Sequence, residues 1–317
     1  MTHAVKTKRA GVALGAKRTR SLLLAIYRAC RRAGSAVGLG KLSLARVLDT
    51  VVVSRLGRGP IRVRGQWMLL DRGDVLELAS HGVYEPAETR FIEGRLRPGS
   101  VVVDVGANIG YHTLVLARVV GPSGRVFAFE PDPENFELLR KNVEMNGYRN
   151  TYLFRAAVSD RGGSTALFLS SNTADHRTYQ PPNQPRESVA VEACRLDDRL
   201  ADLAALDFVK LDIQGFEWRA LEGMRSLLER SAGCCLMIEF WPRGLVDAGC
   251  EPSRFLDRLA ELGFELNHVV ATGQLRPVEA SELLRRYTAE NSRFVNLVCE
   301  KSGRADTVRD SIRIARS

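Results

Sequence analysis

From about residue 100 onward, short apolar runs alternate with segments in which apolar residues recur at helical spacing. The runs predict buried strands, and the segments with the 3.6-residue period predict helices. The predicted strands are Val101–Val105, Arg125–Glu130, Thr151–Val158, Ala166–Ser170, Val189–Ala193, Phe208–Ile213, Cys234–Phe240, Phe264–Val270 and Phe294–Glu300. Such alternation is typical of a parallel sheet covered by helices on both faces, so the pattern predicts a doubly wound α/β domain.

Two stretches depart from this alternation. Asn172–Glu187 is rich in Pro, Asn and Gln and has no periodicity, as is common in loops that act as functional lids. At the other end, a Gly-Pro-rich break at residues 57–60 precedes Ile61–Asp71, which alternates as a hairpin strand. We therefore predict an N-terminal extension over residues 1–60, one α/β domain over 61–300 and a C-terminal tail over 301–317.

The formal charge of +9 belongs to the predicted extension. Eleven of the 46 Lys and Arg residues precede Asp49, whereas none of the 37 Asp and Glu residues does, so the rest of the chain is nearly neutral. A nucleic-acid-binding enzyme would carry its basic residues on the domain that holds the substrate, so this distribution argues against one.

Wound as a helix, Thr19–Arg32 places most of its apolar residues on one side and its four arginines on the other, where the preceding Arg18 also falls. A basic amphipathic helix of this kind can lie on an anionic membrane surface. A solvated arm and a helix packed on the domain remain as alternatives. No segment has the ~20 consecutive apolar residues needed to span a bilayer. We expect a cytoplasmic protein, and the first of these three alternatives would add a peripheral contact at the inner membrane surface.

The cysteine and histidine content does not indicate a metal centre. The six cysteines include no CxxC pair, and no group of His, Cys and Asp has the spacing of metal ligands. The adjacent Cys234 and Cys235 lie in an apolar run and are interpreted as small core residues. We expect no metal ion, no disulfide framework and a reducing compartment.

The strongest candidate site follows the first predicted strand of the alternating region. Asp104 ends that strand, and Gly106, Asn108 and Gly110 fall on the turn that opens the next helix. In doubly wound sheets, ligands bind at the carboxyl ends of strands where the strand order reverses. A dinucleotide enzyme would show GxGxxG here, whereas Asp104 would repel a pyrophosphate and suits a cationic ligand.

A second signal comes twenty residues after Gly110, where the next strand ends at Glu130. An acidic residue at this point can accept hydrogen bonds from both hydroxyls of a ribose. Together, the two signals predict a nucleoside-containing cofactor that carries a positive charge.

Four motifs together resemble those of the FkbM-type methyltransferases: Asp104-Val-Gly-Ala-Asn-Ile-Gly110, Phe127-Ala-Phe-Glu-Pro131, Ala156-Ala-Val-Ser-Asp160 and Lys210-Leu-Asp-Ile-Gln-Gly-Phe-Glu217. The resemblance runs from about Ile61 to Glu300. It implies a Rossmann-like methyltransferase sheet, mostly parallel with an antiparallel last strand. It also implies S-adenosylmethionine as methyl donor and O-methylation of acceptors that range from polyketides to sugars.

The same resemblance assigns roles to individual residues. It implies that Asp104, Gly106, Asn108 and Gly110 line the methionine and ribose side of the cofactor. It further implies that Glu130 holds the ribose and that Asp160 or its adjacent backbone lies near the adenine. This chain departs from the family at Gln214, where many members have Glu, so that position offers no carboxylate.

Methylation of a hydroxyl requires a group that accepts its proton. The candidates are Asp212 and Glu239, which end two predicted strands, and His176, which lies with other polar residues in the irregular loop. His112, in the first turn of the helix after the glycine turn, is a weaker candidate. For the two carboxylates the alternative is a structural role in capping or orienting neighbouring helices.

The sequence therefore predicts an S-adenosylmethionine-dependent O-methyltransferase. The predicted acceptor is a small molecule or a group linked to a glycan or lipid, and the oligomeric state is left open. Two rivals remain. A nicotinamide-dependent oxidoreductase needs the glycine pattern that the chain lacks, and a non-catalytic S-adenosylmethionine-binding module would be favoured by an eroded cofactor motif.

Overall fold

The computed structural model describes residues 59–301 and, before them, Leu23, Ile26, Tyr27 and Ala29, which lie in a helix. The rest of the predicted amphipathic helix Thr19–Arg32 lies outside the described residues, as do residues 302–317 of the predicted tail. The predicted domain boundaries therefore stay predictions.

The chain divides into two compact units, Met1–Tyr84 with Leu138–Gly147 and Glu85–Glu137 with Tyr148–Ser317. In the described part of the first unit, strands β1 (Ile61–Val63) and β2 (Gln66–Met68) form a hairpin within Ile61–Asp71, where the sequence predicted a single hairpin strand. Arg64 and Gly65 link them with φ values of 47° and 84°. Two consecutive left-handed residues form the tight turn whose twist matches that of paired strands. A short helix, α1 (Leu78–His81), follows.

The second unit contains an eight-stranded sheet in the order β12-β11-β13-β10-β9-β3-β4-β5. Its strands are β3 (Val101–Val105), β4 (Arg125–Phe129), β5 (Thr151–Phe154), β9 (Phe208–Leu211), β10 (Cys235–Phe240), β11 (Phe264–Val269), β12 (Leu275–Pro277) and β13 (Val295–Lys301). Neighbours from β5 to β10 pair in parallel, and β13 lies antiparallel between β10 and β11. The mostly parallel sheet with an antiparallel last strand is confirmed.

The strand order reverses between β3 and β9. From β3 the chain moves outward to β4 and β5, and it then returns to build β9 and β10 on the other side of β3. Side chains that follow β3 and β9 therefore meet at the switch point where doubly wound sheets bind their ligands.

Helices connect the strands and cover the sheet. After α1 they are α2 (Pro86–Arg95), α3 (Tyr111–Val120), α4 (Pro133–Met145), α5 (Leu196–Arg199), α6 (Glu217–Gly223), α7 (Arg225–Arg230), α8 (Pro242–Asp247), α9 (Pro252–Glu261) and α10 (Ala280–Arg286). Helix α9 shows why the pattern is readable: proline begins it, and Phe255, Leu256 and Leu259 form its buried face. Among the described residues no helix is long and apolar enough to cross a membrane.

A second, three-stranded sheet has the order β6-β8-β7. Its strands are β6 (Ala157–Val158), β7 (Gly163–Phe168) and β8 (Ser188–Cys194). The prediction of one strand over Thr151–Val158 is wrong, because the chain leaves the large sheet after Phe154 and Ala157 pairs with Ala193 instead. The two predicted strands that flank the irregular loop are confirmed as the antiparallel pair β7 and β8.

The predicted helix over Phe216–Arg230 is interrupted. It consists of α6 and α7, which meet at Met224, a residue with φ of −124° and ψ of 14°. Gly223 lies so close to the segment after β6 that a Cβ atom there would stand 1.9 Å from the carbonyl oxygen of Ser159. Close packing against that segment fixes the end of α6.

Candidate functional site

The glycine turn after β3 is held by backbone contacts with β4 and β9. The N–H groups of Gly106 and Ala107 both donate to the carbonyl oxygen of Phe129 at 3.0 Å. Gly106 has φ of 81°, and a Cβ atom there would stand 1.9 Å from the carbonyl oxygen of Asp212. The close approach of the chain after β9 is therefore a sufficient reason for glycine at this position. Gly110, with φ of 94°, precedes α3 as its N-cap.

Asn108 connects this turn to Glu130. Its backbone N–H donates to Glu130 Oε2 at 2.8 Å, and the N–H of Asp132 donates to Glu130 Oε1 at 2.9 Å. Asn108 has φ of 50°, a left-handed conformation that asparagine tolerates better than most residues. Burial raises the pKa of Glu130 to about 8, although the two N–H groups act to lower it. Each carboxylate oxygen keeps a second acceptor position for a ligand hydroxyl.

The irregular loop is anchored beside the same carboxylate. The side-chain amides of Asn108 and Asn135 both donate to the carbonyl oxygen of Thr173, at 3.2 and 3.0 Å. Asp132, whose backbone binds Glu130, accepts hydrogen bonds from Glu134 and Asn135 N–H at the start of α4. The loop is thus tied to both segments that position Glu130.

His176 takes part in holding this loop. Its Nδ1 accepts a hydrogen bond from the N–H of Ser170 at 3.0 Å, which places the ring proton on Nε2, 3.9 Å from Asp132 Oδ2. Burial lowers the pKa of His176, and nearby Asp132 opposes that effect. A neutral ring whose one basic nitrogen is already engaged suits a structural role, and a role as general base requires that hydrogen bond to break.

Asp104, Lys210 and Asp212 meet at the switch point between β3 and β9. Asp104 and Lys210 are Cα partners across the two strands. Lys210 Nζ donates to Asp212 Oδ2 at 2.9 Å, and Gln214 Nε2 donates to Asp212 Oδ1 at 3.2 Å. Burial acts to lower the pKa of Lys210, but Asp212 and the other carboxylates nearby outweigh it and raise that pKa.

Asp104 itself is completely buried. Thr113 Oγ1 donates to its Oδ2 at 2.6 Å, whereas Oδ1 has no hydrogen-bond partner among the described residues. Burial raises the pKa of this carboxyl, and the Lys210 ammonium lowers it. A fully buried carboxylate with an unused oxygen suits a cationic group at this position.

Glu239, on β10, is a third carboxylate near Asp104 and Asp212, and we call these three residues the acidic group. Glu239 lies opposite Asn296 of β13, and the side-chain amide of Asn296 donates to Glu85 Oε1 at 2.8 Å. The other oxygen of Glu85 is 3.5 Å from His112 Nε2. Burial raises the pKa of Glu85 to about 7 and that of Glu239 well above its ordinary value. For His112, burial first and then Lys210 lower the pKa, so the ring is neutral.

Two further carboxylates have structural partners. Glu217, at the start of α6, accepts the N–H groups of Ile213 and Gly215 at 2.9 and 3.2 Å and so closes the turn after β9. Asp160 accepts hydrogen bonds from Arg219 Nη1 at 2.7 Å and from Ser159 Oγ at 3.0 Å. Burial acts to raise the pKa of Asp160, but these donors outweigh it and lower that pKa. No described contact joins Asp160 to Glu130.

The structure thus brings Asp104, Asp212 and Glu239 into one group. It also places Glu130, which follows β4, against the adjoining turn that contains Gly106 and Asn108. It also adds three residues that the sequence analysis missed: Glu85, Lys210 and Asn296. For Lys210 a signal existed, because a charged residue inside the four-residue buried strand β9 is unusual. The described residues include no group of His, Cys, Asp and Glu arranged to hold a metal ion.

This arrangement fits S-adenosylmethionine. The adenosyl part requires an acceptor for ribose hydroxyls, and Glu130 has acceptor positions that its two N–H partners leave unused. The ammonium and sulfonium charges require a negative environment. The unpartnered oxygen of Asp104 and the excess of carboxylates over Lys210 provide that environment.

Comparison with known proteins agrees with the motifs. The sequence model of the methyltransferase FkbM domain matches residues 104–266. The 31-O-demethyl-FK506 methyltransferase FkbM of Streptomyces tacrolimicus is 29% identical over 160 residues, which cover 41% of this chain and 61% of that protein. The protein-L-isoaspartate O-methyltransferase of Methanothrix thermoacetophila is 49% identical over 55 residues, 17% of this chain and 26% of that protein.

Each of these matches spans less than two thirds of the relative's own length. Among solved structures, an S-adenosylmethionine-dependent O-methyltransferase from Thermotoga maritima aligns with a TM-score of 0.39 and 21% identity, over 69% of this chain and 66% of that one.

Proposed function

Because the chain belongs to the FkbM family of methyltransferases, we propose that it transfers the methyl group of S-adenosylmethionine to a hydroxyl oxygen of a sugar, glycolipid or other secondary-metabolite acceptor. The observation that carries the proposal is the position of the buried Glu130 carboxylate, which Asn108 and Asp132 fix beside the glycine turn at the switch point of the sheet.

Different residues of the site bind different parts of the cofactor. Glu130 accepts the ribose hydroxyls, and Asp104 faces the cationic part of the cofactor. Bound S-adenosylmethionine supplies an activated methyl group, so the chain contributes mainly alignment. Orientation of two reactants can lower a barrier by ~7–11 kcal/mol.

The acceptor's proton goes to a carboxylate of the acidic group. Both carboxylate oxygens of Asp212 accept hydrogen bonds, from Lys210 and Gln214, whereas Oε2 of Glu239 has no hydrogen-bond partner among the described residues. His176 is the weaker candidate because the Ser170 N–H occupies its Nδ1. A positioned base typically contributes ~10²–10⁴-fold to the rate.

A hydroxyl acceptor is distinct from the acceptor named for the isoaspartate relative, whose name refers to a modified aspartyl residue. The short match to that enzyme gives no reason to prefer a protein substrate, because it covers 17% of this chain. A nicotinamide-dependent reaction has no support either, since buried Asp104 stands where a pyrophosphate site has glycine.

The proposal is tested by incubating the full chain with methyl-labelled S-adenosylmethionine and an extract of metabolites and glycolipids from the source organism. We expect label in products that resist mild alkali, as methyl ethers do. Glu239→Gln should lower the rate by ~10²–10⁴-fold. Glu229→Gln, which removes an exposed carboxylate paired with Arg225, should leave it unchanged.

Label that mild alkali releases as methanol would show a carboxyl ester and would overturn the hydroxyl assignment. A protein that binds NAD and fails to bind S-adenosylmethionine in calorimetric titration would overturn the methyltransferase function altogether.

A further inference from the structure

The acidic group at the switch point holds more negative charge than its one described cation can offset. Asp104 lies in β3, Glu239 lies in β10, and Asp212 directly follows β9, the strand that contains Lys210. Glu85 joins the group through Asn296, and Glu217 lies at the start of α6. Lys210 forms its hydrogen bond with Asp212.

Four carboxylates in this group have one buried oxygen without a hydrogen-bond partner among the described residues: Glu85, Asp104, Glu217 and Glu239. In Glu239, which is 8% exposed, the unpartnered oxygen is Oε2, and in the fully buried Asp104 it is Oδ1. A buried carboxylate without partners is costly unless it carries a proton or faces a cation. These oxygens therefore indicate that the group is completed either by protons or by a cationic ligand.

We propose that Glu239, together with Glu85, which accepts a hydrogen bond from the Asn296 that lies opposite Glu239 on β13, holds a proton in the ligand-free protein, releases it when the sulfonium cofactor binds, and accepts the acceptor's hydroxyl proton during methyl transfer. The inference rests on the proposed function and specifies how the site handles charge.

Methyl transfer then leaves the charge of the site unchanged. The bond between sulfur and the methyl carbon breaks, and its electron pair stays on sulfur, which becomes neutral. A bond forms between the methyl carbon and the acceptor oxygen, and the hydroxyl proton moves to the Glu239 carboxylate. One positive charge is lost from sulfur and one is gained on Glu239, so no buried charge is left uncompensated.

The electrostatics of the ligand-free site agree with the exchange of a proton on Glu239 for the sulfonium charge of the cofactor. Burial is the main cause that raises the pKa of Glu239, and Asp212, Glu217 and Glu85 raise it further, whereas Lys210 lowers it. Burial also raises the pKa of Glu85 to about 7; Lys210 and the hydrogen bond from Asn296 act to lower it, whereas Asp212 and Glu88 raise it further. Protons on these acids are therefore present near neutral pH and compete with a cation that binds beside them.

The test compares two ligands that differ in the sulfonium charge: S-adenosylmethionine and S-adenosylhomocysteine. Titration calorimetry in buffers of different ionisation enthalpy counts the protons released by each. Near pH 7, S-adenosylmethionine should release about half a proton to one proton more than S-adenosylhomocysteine. The affinity ratio of the two should shift toward S-adenosylmethionine as pH rises, by up to ~10-fold per pH unit for one proton.

Glu239→Gln keeps the shape of the side chain but cannot titrate, so it should remove most of the difference in proton count. Glu85→Gln should reduce that difference, and Glu229→Gln should leave it at the wild-type value because that residue is exposed on α7. Thermal melting confirms that each variant is folded.

Equal proton counts for the two ligands in the wild-type protein would overturn the inference and leave the proposed function intact. A difference that persists in both Glu239→Gln and Glu85→Gln would overturn the assignment to this pair. If neither S-adenosylmethionine nor S-adenosylhomocysteine bound, the proposed function would be overturned, and the inference with it.

Discussion

Glu130 is a buried carboxylate whose two oxygens each accept one backbone N–H. An ionised carboxylate offers about four acceptor positions, so about half of its capacity is unused. Burial raises its pKa to about 8, and hydrogen bonds from ribose hydroxyls would favour the ionised form. Cofactor binding and ionisation of Glu130 should therefore support each other.

From this we predict the effect of Glu130→Ala. The substitution should weaken S-adenosylmethionine binding by ~1.5–3 kcal/mol, the scale of a hydrogen bond to a charged group. Calorimetric titration measures the change, and Glu134→Ala, an exposed position in the first turn of α4, is the matched control. Unchanged affinity in a folded Glu130→Ala protein would contradict the role of this residue.

Residues at strand ends could be found from the sequence, because a polar residue that follows a buried run is visible in the pattern. Asp104, Glu130, Asp212 and Glu239 are of this kind. Glu85 and Asn296 could not be found this way, since their contact joins positions 211 residues apart in the chain. Only the antiparallel placement of β13 beside β10 brings that contact to the acidic group.

At the scale of elements, the glycine turn shows how strand packing constrains a binding loop. Gly106 is glycine because the Asp212 carbonyl approaches it, as well as because its φ is 81°. The turn that holds Asn108 and Glu130 is therefore coupled to the segment that holds Asp212. A change at Gly106 should disturb both halves of the site.

Gly249 is a matched control for substitution of Gly106 by alanine. Its φ is 84°, but no atom of the described residues lies within 4 Å of the place that a Cβ atom would take. Gly249→Ala should cost only the left-handed strain of ~1–2 kcal/mol. Gly106→Ala should add ~1–3 kcal/mol for overpacking. Chemical denaturation measures both free energies of unfolding. Equal losses for the two variants would show that the contact with Asp212 relaxes without cost.

The two wrong predictions of secondary structure, one for a helix and one for a strand, have a common physical cause. Apolar residues continue at helical spacing from Ala220 through Met224 to Leu228, so periodicity alone predicts one helix where the structure has α6 and α7. In the same way, the apolar run after Thr151 does not reveal that the chain changes sheets after Phe154. Periodicity records which residues are buried, whereas the partner that buries them is set by tertiary packing.

At the scale of the whole molecule, the charge distribution separates the first 58 residues from the rest. Eleven Lys and Arg residues and no acidic residue precede Asp49. Of this segment the structure describes four residues in a helix, of which Leu23 and Ile26 are 46% and 52% exposed. Helices that lie on an anionic membrane surface typically combine exposed apolar residues with arginines in this way.

We therefore predict that the full chain binds vesicles that contain anionic lipid and does not bind vesicles of neutral lipid, whereas a chain that begins at Arg58 binds neither. Co-sedimentation measures the bound fraction, and thermal melting checks that the shortened chain is folded. Salt should weaken the binding, because the Debye length falls from ~10 Å at 0.1 M to ~3 Å at 1 M.

Replacement of Leu23 and Ile26 by glutamine keeps every charge and should still reduce binding, since the buried apolar area is lost. If the full and shortened chains bind anionic vesicles equally, residues 19–32 do not form a membrane contact, and a lipid-linked acceptor loses its main support.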